Sequence, residues 1–488
     1  MLTKIREALT TKIPNGSFVR NVLILTTGTT FAQAITVLAA PLLTRLYSPE
    51  DFGVYTLYVS ILAVLAIVAC GQYEVAIVLP EKDKDAANIL LISIIICFGL
   101  ASLTFILVSV FGSTFTQLFG ILELAGWLWF LPLSLIAAGL FQAFNYWSTR
   151  RAKFKLLAMR QITMSTVMLG TQIGTGGLLY PAGPGGLIVG SIVGQAVATA
   201  RLAWHTIKND RSLLRNSLSL KRIKTTLKEY KRFPLYLGSA GLLNVSAEQV
   251  PVILLGYYFG TAVVGSFSLA VRVANLPFTV IANSISQVFY PRASKAYIEG
   301  TLHVIVLNMF TRIFSFVLVP ILLLMISGPD LISLIFGVNW VIAGEYLIWL
   351  GPRFISQFIS APLSTVFVIL NRQDLNLKID TLLFITNIGT VIFGGFLGDS
   401  LMTVKLFGAG TFACYSFACF LIFKISGVPN TTVLKQIYNT LLRAIPYTIL
   451  PLMIVLLTDS SIFVTIISIL CGVLFLYCNA RSFLKMNR

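Results

Sequence analysis

The sequence predicts an all-α polytopic membrane protein of fourteen transmembrane helices, and three observations lead there. The first is composition. Of 488 residues, 57% are AVILMFWYC and 11% are charged, and the mean hydropathy is +0.87. An ordinary soluble domain is about 25% charged, so this chain has too few polar residues to cover a water-facing surface. That argues against a secreted enzyme, a nucleic-acid-binding domain and a disordered scaffold.

The second observation is a run of apolar segments, each long enough to cross about 30 Å of hydrocarbon at 1.5 Å per residue. They are 18–44, 52–79, 86–110, 122–147, 156–178, 185–207, 233–259, 262–290, 302–327, 339–370, 377–398, 402–424, 440–458 and 460–480. Gly351-Pro352 marks a candidate break inside 339–370.

The third observation is where the charge falls. The net charge is +18, from 36 Lys+Arg against 18 Asp+Glu. With the N-terminus in the cytoplasm, the cytoplasmic segments hold 27 Lys/Arg and the opposite loops hold one, Arg45. A miscounted central helix would flip every later loop and erase that asymmetry. The positive-inside rule therefore favours an even count with both ends cytoplasmic.

Taken in order, Met1 to Ser17 contains no secretory apolar core. Leu2, Ile5, Leu9 and Ile13 share one helical face beside Lys4, Arg6 and Lys12, which predicts a short interfacial helix. Helices 1–6 form a first lobe, 1–207. A basic amphipathic linker follows, 208–232: Leu220, Ile223, Leu227 and Tyr230 share a face ringed by Lys221, Arg222, Lys224, Lys228, Lys231 and Arg232, as for a helix on the inner leaflet. Helices 7–12 form a second lobe, 233–424, and helices 13–14 occupy 425–488. The outer loops are too short for a catalytic domain. The six cysteines lie in apolar runs and read as small buried hydrophobes. With His205 and His303 as the only histidines, both near helix ends, neither a metal site nor a histidine proton relay is expected.

The two lobes carry a faint repeat. Pro41 and Pro251 lie 210 residues apart, and Gly53-Val-Tyr55-Thr-Leu57 matches Gly265-Ser-Phe267-Ser-Leu269 at an offset of 212. The number of helices between the copies is even, so the repeat is parallel, about an axis along the membrane normal.

The run Pro41-Leu-Leu-Thr-Arg45-Leu-Tyr-Ser-Pro-Glu-Asp-Phe-Gly53-Val-Tyr55 resembles the first hairpin of bacterial polysaccharide-biosynthesis membrane proteins, the Wzx-type oligosaccharide flippases of the MOP superfamily. Gly71-Gln-Tyr-Glu74-Val-Ala-Ile-Val-Leu-Pro80, followed by Asp85-Ala86-Ala87, is similar to that family's next helix junction. The resemblance implies a V-shaped fold of two six-helix lobes plus a C-terminal helix pair. It implies a bacterial inner-membrane location and an undecaprenyl-diphosphate-linked oligosaccharide substrate, such as an O-antigen repeat unit, moved from inner to outer leaflet by alternating access. Polysaccharide polymerase machinery is then a candidate partner alongside membrane lipids. No cofactor is expected, and H+ or Na+ coupling stays open.

Charges inside the apolar segments are the candidate site. Arg20, Arg160, Arg201, Arg443 and Lys405 lie near helix ends and are expected to snorkel to the interface. Arg45 and Glu74, near helix ends, are expected to serve interfacial anchoring and packing. Arg272, Arg312 and Arg353 are each ten or more residues from an end. Arg in hydrocarbon costs at least about 2.5 kcal/mol, so these should face a hydrated cavity. Glu248 reads as the one clearly deep carboxylate, at a depth like that of Arg272. Two readings stay open: a static ion pair, or a pair that opens so that Arg272 meets a diphosphate through its planar fork of donors. The first lobe offers mainly neutral groups, Gln33, Asn145, Gln161, Gln172 and Gln195. The excess of deep Arg over deep Glu speaks against the alternative function, a MATE-like cation-coupled exporter of small organic cations. A membrane-embedded glycosyltransferase or polymerase would need catalytic loops or carboxylates that are not visible, so no enzymatic activity is expected.

Overall fold

The computed structural model describes residues 18–178, 183–217, 220–457 and 461–485. The predicted interfacial helix before Ser17 lies outside the described residues. Among these residues the chain is helical throughout, with no strand. A helix overlies each of the fourteen apolar segments. Eight helices are long and apolar enough to cross a membrane by themselves, and nine if the bent pair Leu122–Leu128 and Leu131–Arg150, at 57°, is one span. The chain divides into two compact units, Met1–Gln249 and Val250–Arg488.

The first unit contains α1 (Phe18–Leu46), α2 (Pro49–Ile67), α3 (Asp83–Leu118), α4 (Leu131–Arg150), α5 (Phe154–Leu178), α6 (Gly183–Ser217) and the short α7 (Leu220–Glu229). The turn between α1 and α2 explains the motif at Tyr47 to Gly53. The Ser48 hydroxyl accepts from the Asp51 amide at 3.2 Å, the Asp51 carboxylate accepts from the Ser48 amide at 2.9 Å, and Pro49 opens the helix. That reciprocal cap satisfies two amides otherwise left bare at a helix start. The Tyr47 hydroxyl donates to the Gln172 carbonyl at 2.6 Å and so ties the turn to α5.

The predicted helix over 52–79 is shorter than expected. It stops at Ile67, capped by Val68; Gly71 and Gln72 beyond it adopt left-handed φ of 61° and 60°, and Tyr73–Val78 continues as a 3-10 turn. Such φ values break an α-helix. The Gln72 side-chain amide donates to the Ile67 carbonyl at 2.7 Å and caps the end. α6 runs further than expected, to Ser217, with a kink at Asp210.

α7 also packs on protein. Its apolar side chains Ile223 and Leu227, with Tyr230 and Phe233, pack on the buried cluster of Cys70, Ile77, Ile89, Leu90 and Trp147. The Tyr73 hydroxyl donates to the Leu227 carbonyl at 3.2 Å. The amphipathic face is real and packs on the helical bundle, while Lys228, Lys231 and Arg232 stay exposed.

A short π-helical turn, Phe233–Gly238, leads into α8 (Ser239–Phe259), within which the division between units falls. The second unit continues through α9 (Thr261–Ile298), α10 (Leu302–Ile326), α11 (Val341–Leu363), α12 (Gln373–Leu397), α13 (Ser400–Ile425), α14 (Asn430–Leu457) and α15 (Ser461–Lys485). α11 passes through Gly351-Pro352 unbroken, and the interruption comes instead at Ser364, before Thr365–Ile369. Pro352 costs one backbone bond, while Gly351 lets Met325 of α10 lie directly against the helix. The core is aromatic: Phe310 packs on Phe314 and Phe423, and Phe267 on Phe407.

The repeat has a local structural counterpart. α2 starts at Pro49 and α9 at Thr261, also 212 residues apart. The matched pairs Phe52 and Val264, Gly53 and Gly265, and Leu57 and Leu269 are all buried.

Candidate functional site

α9, α10 and α11 pack against one another in the second unit. They carry Arg272, Arg312 and Arg353, all half-buried. Arg353 has the best-defined surroundings. Its guanidinium lies 4.7 Å from the Phe407 ring centroid of α13 and 5.5 Å from that of Phe354. An aromatic face stabilises a cation through its ring quadrupole. Glu248 lies on α8 in the first unit and is exposed.

Among the described residues the deeply buried carboxylate is Glu74, 2% exposed, with its Oε2 atom unpartnered. The left-handed turn at Gly71-Gln72 places it: reversing the chain there aims the following 3-10 segment inward, where Tyr73, Ala76 and Ile77 are also buried. Packing at a helix end is the role expected of Glu74, and this end is folded into the bundle. Arg45, in the last turn of α1, is exposed.

Arg160 is the second departure. It does not snorkel. It is 6% exposed on α5. Its Nη1 donates to Gln161 Oε1 at 3.0 Å, its Nη2 donates to Gln195 Oε1 of α6 at 2.9 Å, and the Phe141 ring centroid of α4 lies 3.3 Å from its Cζ. Its Nε has no acceptor. The first unit therefore holds a buried cation in a neutral cradle, which the sequence reading did not anticipate. The others near helix ends behave differently: Arg201 is exposed and donates to Thr163 at 2.9 Å, Arg443 is exposed, and Lys405 lies 4.5 Å from the Trp349 ring centroid. The Arg20 side chain lies outside the described residues.

A cluster of paired charges closes one end of the first unit. Arg150 and Arg151 each reach Asp83 at 2.9 Å, and Arg151 and Lys153 each reach Asp210 at 3.5 Å. Trp147 Nε1 donates to the same Asp210 at 3.0 Å, and Arg150 Nη1 donates to the Pro80 carbonyl at 2.6 Å. These bonds join α3, α4 and α6 where α6 kinks. No group of three or more His, Cys, Asp or Glu able to hold a metal occurs among the described residues.

Residues 42–344 match a family described as polysaccharide biosynthesis protein. The chain is 27% identical over 198 residues to the teichuronic acid biosynthesis protein TuaB of Bacillus subtilis (strain 168), covering 40% of each chain. It is 25% identical over 350 residues to the succinoglycan biosynthesis transport protein ExoT of Rhizobium meliloti (strain 1021), covering 70% of this chain and 65% of that one. The matches thus span less than two thirds of either relative. Among solved structures, the lipid II flippase MurJ in an inward closed conformation superposes with a TM-score of 0.69 at 16% identity, over 96% of this chain and all of that one. An inward-facing multidrug resistance MATE family transporter of the MOP superfamily gives 0.56 at 16% identity, over 81% and 94%.

Proposed function

The chain belongs to the polysaccharide biosynthesis protein family, and from that premise we propose that it is a flippase. It carries an undecaprenyl-diphosphate-linked oligosaccharide, an O-antigen or other polysaccharide repeat unit, from the inner to the outer leaflet of the bacterial inner membrane by alternating access. The observation that carries the reading is the family match over 42–344 on a chain whose fold aligns almost throughout with a lipid II flippase. The charged groups agree with it in kind. Arg272, Arg353 and Arg312 supply forked donors suited to a diphosphate, which loses hydration as it leaves water. Polymerase machinery on the outer face would take up the product.

Deletion in the native host tests this. Undecaprenyl-linked glycan should accumulate on the cytoplasmic side. Loss of dye export without that accumulation would instead favour a MATE-like exporter, the second reading, which rests on the shared fold alone.

The proposal includes fourteen spans with both termini in the cytoplasm. Cysteines placed at Thr261 and Ser400 should then react with an impermeant maleimide added to intact cells, while those at Asn209 and Thr301 should be protected. Labelling at Asn209 from outside would overturn the topology, because every later loop would change sides.

A further inference from the structure

We propose that Arg160 is an anion-binding site of the first unit, a fork for a phosphate or carboxylate group that Gln161 and Gln195 hold ready in the ligand's absence. This protein's other arginines set the comparison. Arg150 and Arg151 are paired with Asp83, and Arg372 with Asp374 at 3.0 Å. These serve structure and have carboxylates. Arg160 is buried more deeply than any of them, yet its partners are two amide oxygens and an aromatic ring. Taking a guanidinium out of water without a counter-charge is costly. A cation needed only to join α5, α6 and α4 would be better served by Glu at position 195, one atom different from the Gln that is there.

The donor arithmetic gives the same direction. A guanidinium has five N–H donors. Two meet the Gln oxygens, and Nε, on the edge that makes bidentate contacts, meets nothing among the described residues. The Phe141 ring covers one flat face and fixes the plane of the fork. Neutral amides are weak competitors for it. An arriving anion displaces them without breaking an ion pair, and the freed Gln side chains can donate to its remaining oxygens.

Arg160 lies six residues into α5, about 9 Å along the helix, just beyond the basic segment Arg150 to Lys155. Resting on the proposed topology, this places it near the cytoplasmic face, where a lipid-linked anion would enter. The chemistry fits the diphosphate of a lipid carrier or the carboxylate of an acidic sugar.

The test uses full-length protein in nanodiscs of neutral lipid, titrated calorimetrically with inorganic pyrophosphate and, separately, glucuronate at matched ionic strength. Gln195→Glu puts a carboxylate where the Gln oxygen now sits. It should leave the melting temperature unchanged or raised, and should weaken binding of one probe about tenfold or more, the worth of a lost charge-assisted contact. Loss for pyrophosphate assigns the site to the carrier, and loss for glucuronate assigns it to the sugar. Arg160→Gln, read in the same assay, should lose the same binding and serves if Gln195→Glu does not fold. Binding of neither probe by the native protein, or equal binding by native and variant, would overturn the proposal. The flippase reading stands or falls separately. It fails if deletion builds up no lipid-linked glycan, whatever Arg160 binds, and it survives if native and variant bind alike while deletion still does so.

Discussion

Arg272→Ala should abolish or strongly impair glycan export while leaving folded protein in the membrane. A diphosphate carries negative charge that must be compensated wherever it leaves water, and charge-assisted bonds from a planar fork do this best. Arg272 lies eleven residues into α9 and is half-buried, on a helix packed against those of Arg312 and Arg353. Truncating one partner of a desolvated charge pair costs about 2–5 kcal/mol, about thirtyfold or more in affinity. Arg272→Lys should recover part of the activity, because the charge returns without the second parallel bond. Arg353→Ala and Arg312→Ala should have smaller effects, in that order. The measurement is export per folded molecule, from surface glycan and quantified membrane protein. Unimpaired export by well-folded Arg272→Ala would remove the substrate-binding role assigned to it.

The helical class, the membrane setting and the family motifs were legible because each rests on local information. Apolar runs persist over twenty residues, and the Ser48/Asp51 cap needs only a spacing of three. The early stop of α2 was not legible, because the apolar run continues past Gly71-Gln72 to Leu79. What else was not legible depends on partners distant in sequence. Arg160 lies near a helix end, and position alone predicts snorkelling. Its burial is set by Gln195, 35 residues on, and by Phe141 of another helix. The face of α7 was visible in the spacing of Ile223 and Leu227. Spacing cannot say whether lipid or protein covers it, and here Tyr73 and Trp147 belong to the cluster that does. Glu248 shows the opposite limit. Distance from a turn sets depth, not which face a side chain takes.

The contact that holds the Arg160 cradle together is the α5–α6 interface, and Gly194→Val should break both at once. Gly186, Gly190 and Gly194 recur every fourth residue on α6, the small-residue stripe that lets membrane helices approach closely. A Cβ at Gly194 would lie 2.7 Å from Met168 Cβ and 2.9 Å from the Met164 carbonyl oxygen of α5. The second of these is backbone, so the helices must part to make room. Overpacking of this kind costs about 1–3 kcal/mol, and more where backbone is the obstacle. Gln195 is the next residue, and its 2.9 Å bond to Arg160 spans the same two helices. Gly194→Val should therefore lower the melting temperature and the anion affinity together. Gly174 on α5 is the control. A Cβ there meets nothing within 4 Å, so Gly174→Val should change stability by less than about 1 kcal/mol. The readout is thermal unfolding of both variants in the same detergent. Equal melting of the two would show that close approach at Gly194 does not hold the pair.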